Sequence, residues 1–245
     1  MIPIRDNIKS VHYPIVNTAL IAACVVVFIY QMVEPAAIEA YAFRPAYLAS
    51  LTTIQDLGYV GAGGSLLLSM FMHAPLFQGG LLHIGLNMLF LWVFGDNVED
   101  RMGHLRYLVF YLICGVLATL AHSVISILGA LTYGGGSLQI PLVGASGAIA
   151  GVLGAYYKLY RHASVRALIP LFFIFTMVDL PASLFIIIWF ILQLLYGVSS
   201  LGQAGGGVAF WAHIGGFVAG ILLVRFFAPQ RRSAGKPRVV QMRID

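Results

Sequence analysis

The chain of 245 residues is 60% hydrophobic and 9% charged, and its mean hydropathy is +0.91. A soluble domain of this length cannot bury so much apolar surface, so composition excludes one and indicates an integral membrane protein in contact with a lipid bilayer. The formal charge of +5 does not mark a nucleic-acid partner, because the basic residues flank apolar segments and form no single patch.

In chain order, residues 1–13 form a short segment carrying Arg5 and Lys9. The apolar run near 14–33 follows. It is too long for the core of a signal peptide, and no small-x-small cleavage pattern comes after it, so it is expected to remain as a first span. Further runs of bilayer-spanning length lie near 81–98, 105–128, 145–161, 182–199 and 209–227. The stretch "DNVEDR" after the second run reads as a solvated turn. The segment "ALIPLFFIFTMV", Ala167 to Val178, is apolar but short, and reads as interfacial or re-entrant. Cys24 and Cys114 sit inside apolar runs and read as small hydrophobes, not as a disulfide or a metal pair. The expected architecture is an all-α polytopic membrane protein with six transmembrane helices. Its membrane domain covers residues 14–228, and a basic, disordered tail follows at 229–245.

Lysine and arginine set the orientation. With the N-terminus in the cytoplasm and six spans, thirteen of the fourteen fall inside and Arg44 alone falls outside. That bias places both termini in the cytoplasm. The second, fourth and sixth spans then run from outside to inside, and each carries unusual polar residues near its outer end. The second contains "HIGLN", with His83 and Asn87 on one helix face. The fourth begins with Ser146, and the sixth contains His213. Polar groups inside a bilayer face a cavity or a partner.

Glycine indicates which helices touch. Ser146, Gly147, Ala150, Gly151 and Gly154 make a narrow stripe of small residues on the fourth span. His213, Gly216 and Gly220 share one face of the sixth. Gly147-xxx-Gly151 and Gly216-xxx-Gly220 are close-packing signals. If these stripes meet, Ser146 reaches His213. A serine hydroxyl becomes a nucleophile when a base accepts its proton, and an oxyanion needs donors aimed at it. The Ser146 backbone N–H, Asn87 and His83 are the candidates for that role. No Asp or Glu lies in the outer half of any span, so the pattern predicts a Ser–His dyad without a carboxylate.

"GASG", "HIGLN" and "AHIGGFVAG", in this order and on these spans, resemble the rhomboid intramembrane serine proteases, and "VEDRMG" resembles the family's structural turn after the second span. The resemblance runs from the first span to Phe227. It implies a six-helix core, a Ser146–His213 dyad, oxyanion help from His83 and Asn87, and no cofactor. It also implies transmembrane protein substrates, with a single span, cut in or near that span. Three places depart from the family pattern. The loop from His73 to His83, with "APLFQGG" inside it, is longer than usual. Gly64 and Ser65 stand where the family often has Trp-Arg, and Ala150 stands where it often has an aromatic beneath the base.

Other readings fit less well. A zinc protease would need H-E-x-x-H, which is absent. His73, His83 and His213 have no carboxylate at their depth to complete a metal site. A transporter would show broken mid-bilayer helices and an internal repeat. His73 and His122 read as structural, and Gln193 as a buried hydrogen-bond partner. The lack of a targeting extension favours a prokaryotic plasma membrane, with the site opening to the extracytoplasmic side.

Overall fold

The computed structural model describes residues 1–49, 61–134, 138–171, 174–201 and 209–228. The basic tail from 229 therefore lies outside the described residues. Nine α-helices are present among those described: α1 (Ile15–Val33), α2 (Ala37–Tyr41), α3 (Ala46–Ala49), α4 (Gly61–Leu68), α5 (Gly80–Met102), α6 (His104–Tyr133), α7 (Ser146–Leu159), α8 (Ala182–Ser199) and α9 (Phe210–Phe227). Five of them, α1, α5, α6, α8 and α9, are long and apolar enough to cross a membrane.

The remaining expected span, the fourth in chain order, is α7, and it has only 14 residues. At ~1.5 Å per residue it is ~21 Å long, short of a ~30 Å hydrocarbon layer. It is the central helix. Every residue from Gly147 to Tyr156 is buried, and α5, α6 and α9 pack around it. A helix enclosed by others does not have to match the lipid thickness. Small residues make this enclosure possible. A Cβ on Gly147 would lie 2.7 Å from the Ala118 side chain of α6, and one on Gly151 would lie 2.5 Å from Cys114. One on Gly154 would collide with the Phe217 carbonyl of α9.

The all-α expectation needs correction, because a three-stranded antiparallel sheet accompanies the helices. β1 (Ile2–Asp6), β2 (Ser164–Leu171) and β3 (Ile174–Pro181) are ordered β1-β2-β3. The segment expected to be interfacial or re-entrant is thus the larger part of a hairpin. Its register runs from Ser164 opposite Pro181 to Leu171 opposite Ile174. Pro170 disfavours a helix interior, and the flanking β-branched and aromatic residues favour a strand. Pro3, Val165 and Ala167 are buried, whereas Phe175 and Met177 are exposed. Arg166 makes two 2.8 Å hydrogen bonds to the Asp179 carboxylate directly across the ladder. Asp6, at the end of β1, accepts hydrogen bonds from Tyr156 of α7 and Asn97 of α5. Burial, opposed by the Tyr156 hydrogen bond and reinforced by Asp96, raises its carboxyl to about 7.

The "DNVEDR" stretch is also not a solvated turn. It belongs to the last turns of α5, and Glu99 is 1% exposed. Its carboxylate accepts the Val16 and Asn17 backbone N–H groups at 2.9 and 2.7 Å and contacts His104 Nδ1 at 2.5 Å. An anion there satisfies orphan donors at the start of α1 and complements its dipole. Asn17 extends the joint, donating to the Leu91 carbonyl and accepting from Tyr107 Oη. Glu99→Ala is expected to destabilise the protein by about 2–4 kcal/mol, since it strands buried donors. A thermal unfolding midpoint equal to that of the wild type in the same detergent would refute this role.

Candidate active site

Ser146 is the first residue of α7, after Ala145 at the N-cap. At this position its backbone N–H has no intrahelical acceptor. The preceding Gly144 has φ +127°, and its N–H donates to the Ser69 carbonyl at 2.9 Å, which fixes the approach to the helix. On α9, His213 is buried at 9% exposure, and its Nε2 lies 2.8 Å from Ser146 Oγ. Sequence places these two residues 67 positions apart.

Their meeting depends on the glycines of α9. A Cβ on Gly216 would overlap the Gly147 carbonyl oxygen, and one on Gly220 would overlap that of Gly151. The α7 and α9 backbones are therefore in direct contact along this line. The geometry differs in one respect from two facing stripes. Gly216 and Gly220 point at α7, whereas Gly147 and Gly151 point their missing side chains at α6. Small residues on three helices, not two, bring serine and histidine together.

His83, on α5, completes a second side of the site. A Cβ on Gly144 would lie 3.0 Å from His83 Nε2 and 3.5 Å from Ser146 Oγ, so the missing side chain of Gly144 leaves room between them. The Ala74 N–H donates to His83 Nδ1 at 3.2 Å. In a neutral imidazole the other nitrogen, Nε2, then carries the hydrogen, and that N–H lies on the Gly144 and Ser146 side. Asn87 is buried one turn further along α5, and its Nδ2 donates to the His83 carbonyl at 2.9 Å. This leaves one amide hydrogen for another acceptor.

Other residues of the site gave little or no signal in the sequence. Gln31 of α1 makes reciprocal hydrogen bonds with the His73 backbone, at 2.9 and 3.0 Å, and so ties the first loop to the bundle. The His73 ring is fully buried 5.1 Å from the His83 ring. The aromatic missing at Ala150 is supplied from α8, where the Trp189 ring lies 5.9 Å from that of His213 at 35°. Phe210 meets the His213 ring edge-on at 6.5 Å. Among the described residues no carboxylate faces His213 Nδ1, which lies 2.8 Å from Gln193 Oε1. Gln193 is thus the buried hydrogen-bond partner expected from the sequence, and its spacing from Trp189 puts both on one face of α8.

Comparison with known proteins covers the same part of the chain. The family model of the Rhomboid domain matches residues 63–230, which include α5 to α9 and all the site residues named above except Gln31. "Rhomboid protein 1, mitochondrial" of Saccharomyces cerevisiae is 29% identical over 164 residues, covering 67% of this chain and 42% of that protein. "Rhomboid protease GluP" of Bacillus subtilis is 33% identical over 141 residues, covering 58% of this chain and 22% of that protein. The chain thus corresponds to less than half the length of either relative. A match to the family model across most of the chain, together with a serine and a histidine in hydrogen-bond contact between glycine-packed helices, shows that the chain belongs to the rhomboid family.

Proposed function

We propose that the protein is an intramembrane serine endopeptidase that cleaves single-span membrane proteins in or near their transmembrane segment. The observation that carries this reading is the 2.8 Å contact between Ser146 Oγ and His213 Nε2 at the start of a buried helix. His213 Nε2 takes the hydroxyl proton as Oγ attacks the peptide carbonyl. The developing oxyanion is met by the Ser146 backbone N–H, the His83 Nε2–H and the free Asn87 amide hydrogen. His213 then donates the proton to the leaving amine, and a water activated by His213 hydrolyses the acyl-enzyme. This chemistry needs no cofactor.

In this reading α7 is the fourth of six spans in a membrane domain covering residues 14–228, and both termini are cytoplasmic. The lysine and arginine bias supports that orientation. The site then opens to the extracytoplasmic side of a prokaryotic plasma membrane. Because α7 falls ~9 Å short of a ~30 Å layer, Ser146 lies below the surface, and water has to reach it through a polar cavity. Substrate reaches the site laterally, beside α8. Beyond Ile186, among its described residues, that helix buries only Gln193 and Gly197. A peptide bond inside a stable helix is shielded, so substrates whose outer turn unwinds easily are favoured.

A fluorophosphonate probe tests the proposal. It should label the detergent-solubilised protein at Ser146, and the protein reconstituted in liposomes should cut a single-span substrate. An unlabelled, inactive protein that is properly folded would overturn it. Asn87→Ala is expected to lower turnover ~10²–10³-fold, the usual loss for one oxyanion donor. A change in thermal stability alone, with turnover per folded enzyme unchanged, would make Asn87 a helix–helix contact and nothing more.

A further inference from the structure

The base has a partner that the proposed dyad does not use. Gln193 projects from α8 into the bundle, and its side chain is pinned at both ends. Its Nε2 donates to the Trp189 carbonyl one turn back, at 3.3 Å. Its Oε1 lies 2.8 Å from His213 Nδ1. The two contacts fix the amide orientation, because a carbonyl oxygen can only accept, so the group facing Trp189 must be the NH₂. Oε1 therefore faces His213, and it too can only accept. Nδ1 must then carry a hydrogen, and in a neutral imidazole Nε2 is left with its lone pair. The contact between His213 Nε2 and Ser146 Oγ is accordingly a hydrogen bond donated by the serine. That is the arrangement needed for attack. In the other tautomer Nε2–H would donate to the serine, which would gain no base.

We propose that Gln193 is a positioning residue for His213, holding the imidazole in the tautomer and orientation in which it accepts the Ser146 proton. This rests on the reading of Ser146 and His213 as nucleophile and base. Gln193 does for the histidine what a carboxylate does in a Ser-His-Asp triad, but without a charge. A carboxylate at membrane depth carries a large desolvation penalty. A neutral amide supplies direction without that penalty, and gives up the electrostatic stabilisation of the imidazolium. Trp189 adds to the restraint by covering the same ring. Orientation of the base is thus supplied by α8, a helix that contributes neither nucleophile nor base.

The test uses the full chain reconstituted in liposomes, with a single-span substrate. Gln193→Met keeps the length of the side chain and removes the acceptor. It is expected to lower kcat by roughly 10–100-fold with KM nearly unchanged. That is less than the ~10⁴-fold loss when a triad carboxylate is replaced, because no charge is lost here. Gln193→Glu retains an acceptor for Nδ1–H and is expected to recover most of the activity. Nitrogen-15 NMR of labelled histidine should show His213 protonated at Nδ1 in the wild type and a shift towards Nε2–H in Gln193→Met. Wild-type kcat in Gln193→Met would overturn the proposal. So would an Nε2–H tautomer in the wild type, a measurement that does not depend on any variant folding. A loss of activity that tracks lowered thermal stability, with no rescue by Glu and an unchanged tautomer, would reduce Gln193 to a packing contact. Ser146→Ala, run in parallel, separates the two readings. If it is inactive while Gln193→Met is fully active, only the role of Gln193 falls; if Ser146→Ala retains turnover, the dyad and Gln193 fall together.

Discussion

Ser146→Ala and His213→Ala are each expected to abolish cleavage, by about 10⁴-fold or more, while leaving the fold intact. The serine change opens no large cavity. Ser146 is a partly buried residue at a helix start, and removing its hydroxyl leaves the backbone of α7 untouched. The hydroxyl and the imidazole act on one proton, so each is useless without the other. The double variant should therefore be little slower than either single variant, in contrast to the multiplied losses of independent sites. Measured turnover in matched liposomes decides the matter. Ser146→Ala with activity close to wild type would end the assignment of the nucleophile. A double variant slower than both singles by the product of their effects would mean that the two residues serve different steps.

Much of this arrangement was readable from residue type and spacing. Glycines four apart on the last helix have few uses other than backbone contact, and together with the small-residue stripe of the fourth span they brought Ser146 towards His213. Other features were not readable because their signals are two-sided. The hairpin of β2 and β3 shows no alternation of apolar and polar residues, since Val165 and Ala167 face the bundle while Phe175 and Met177, also apolar, face outward. A run without periodicity does not distinguish a strand from a short helix. Glu99 sits in a charged stretch that would ordinarily be solvated. Its burial follows from the position of the α1 N-terminus, a tertiary fact. The role of Gln193 depended on the rotation of α8 about its axis, and eighteen nearly uniform apolar residues leave that rotation unspecified. The shortness of α7 is not legible in the sequence for a related reason. Hydropathy locates apolar segments but does not say which of them is enclosed by the others.

The other large effect is expected from a single methyl group. Gly216→Ala should lower turnover by about 10²-fold, and Gly216→Val by more, although neither touches substrate. A Cβ at Gly216 would overlap the Gly147 carbonyl oxygen, lie 3.0 Å from the Gly147 carbonyl carbon, and lie 3.3 Å from the Ala118 side chain. Two of these atoms are backbone at the first turn of the central helix and cannot rotate away. The strain is therefore relieved by moving α9 off α7, on the order of 1 Å, and a displacement of that size at reacting groups costs ~10²-fold. His213 lies one turn before Gly216 and Ser146 is next to Gly147, so the separation opens where the 2.8 Å contact is made. The control is Gly129→Ala in α6, where an added Cβ meets nothing within 4 Å. It should leave turnover unchanged and, by helix propensity, raise stability slightly. Gly220→Ala gives an independent check, because its Cβ would overlap the Gly151 carbonyl oxygen one turn further from the histidine. It should destabilise the helix pair as Gly216→Ala does, but with a smaller loss of turnover, since the displacement is centred farther from Ser146. Equal turnover in Gly216→Ala and Gly129→Ala, measured on inserted and folded protein, would show that contact between the α7 and α9 backbones does not set the geometry of the site.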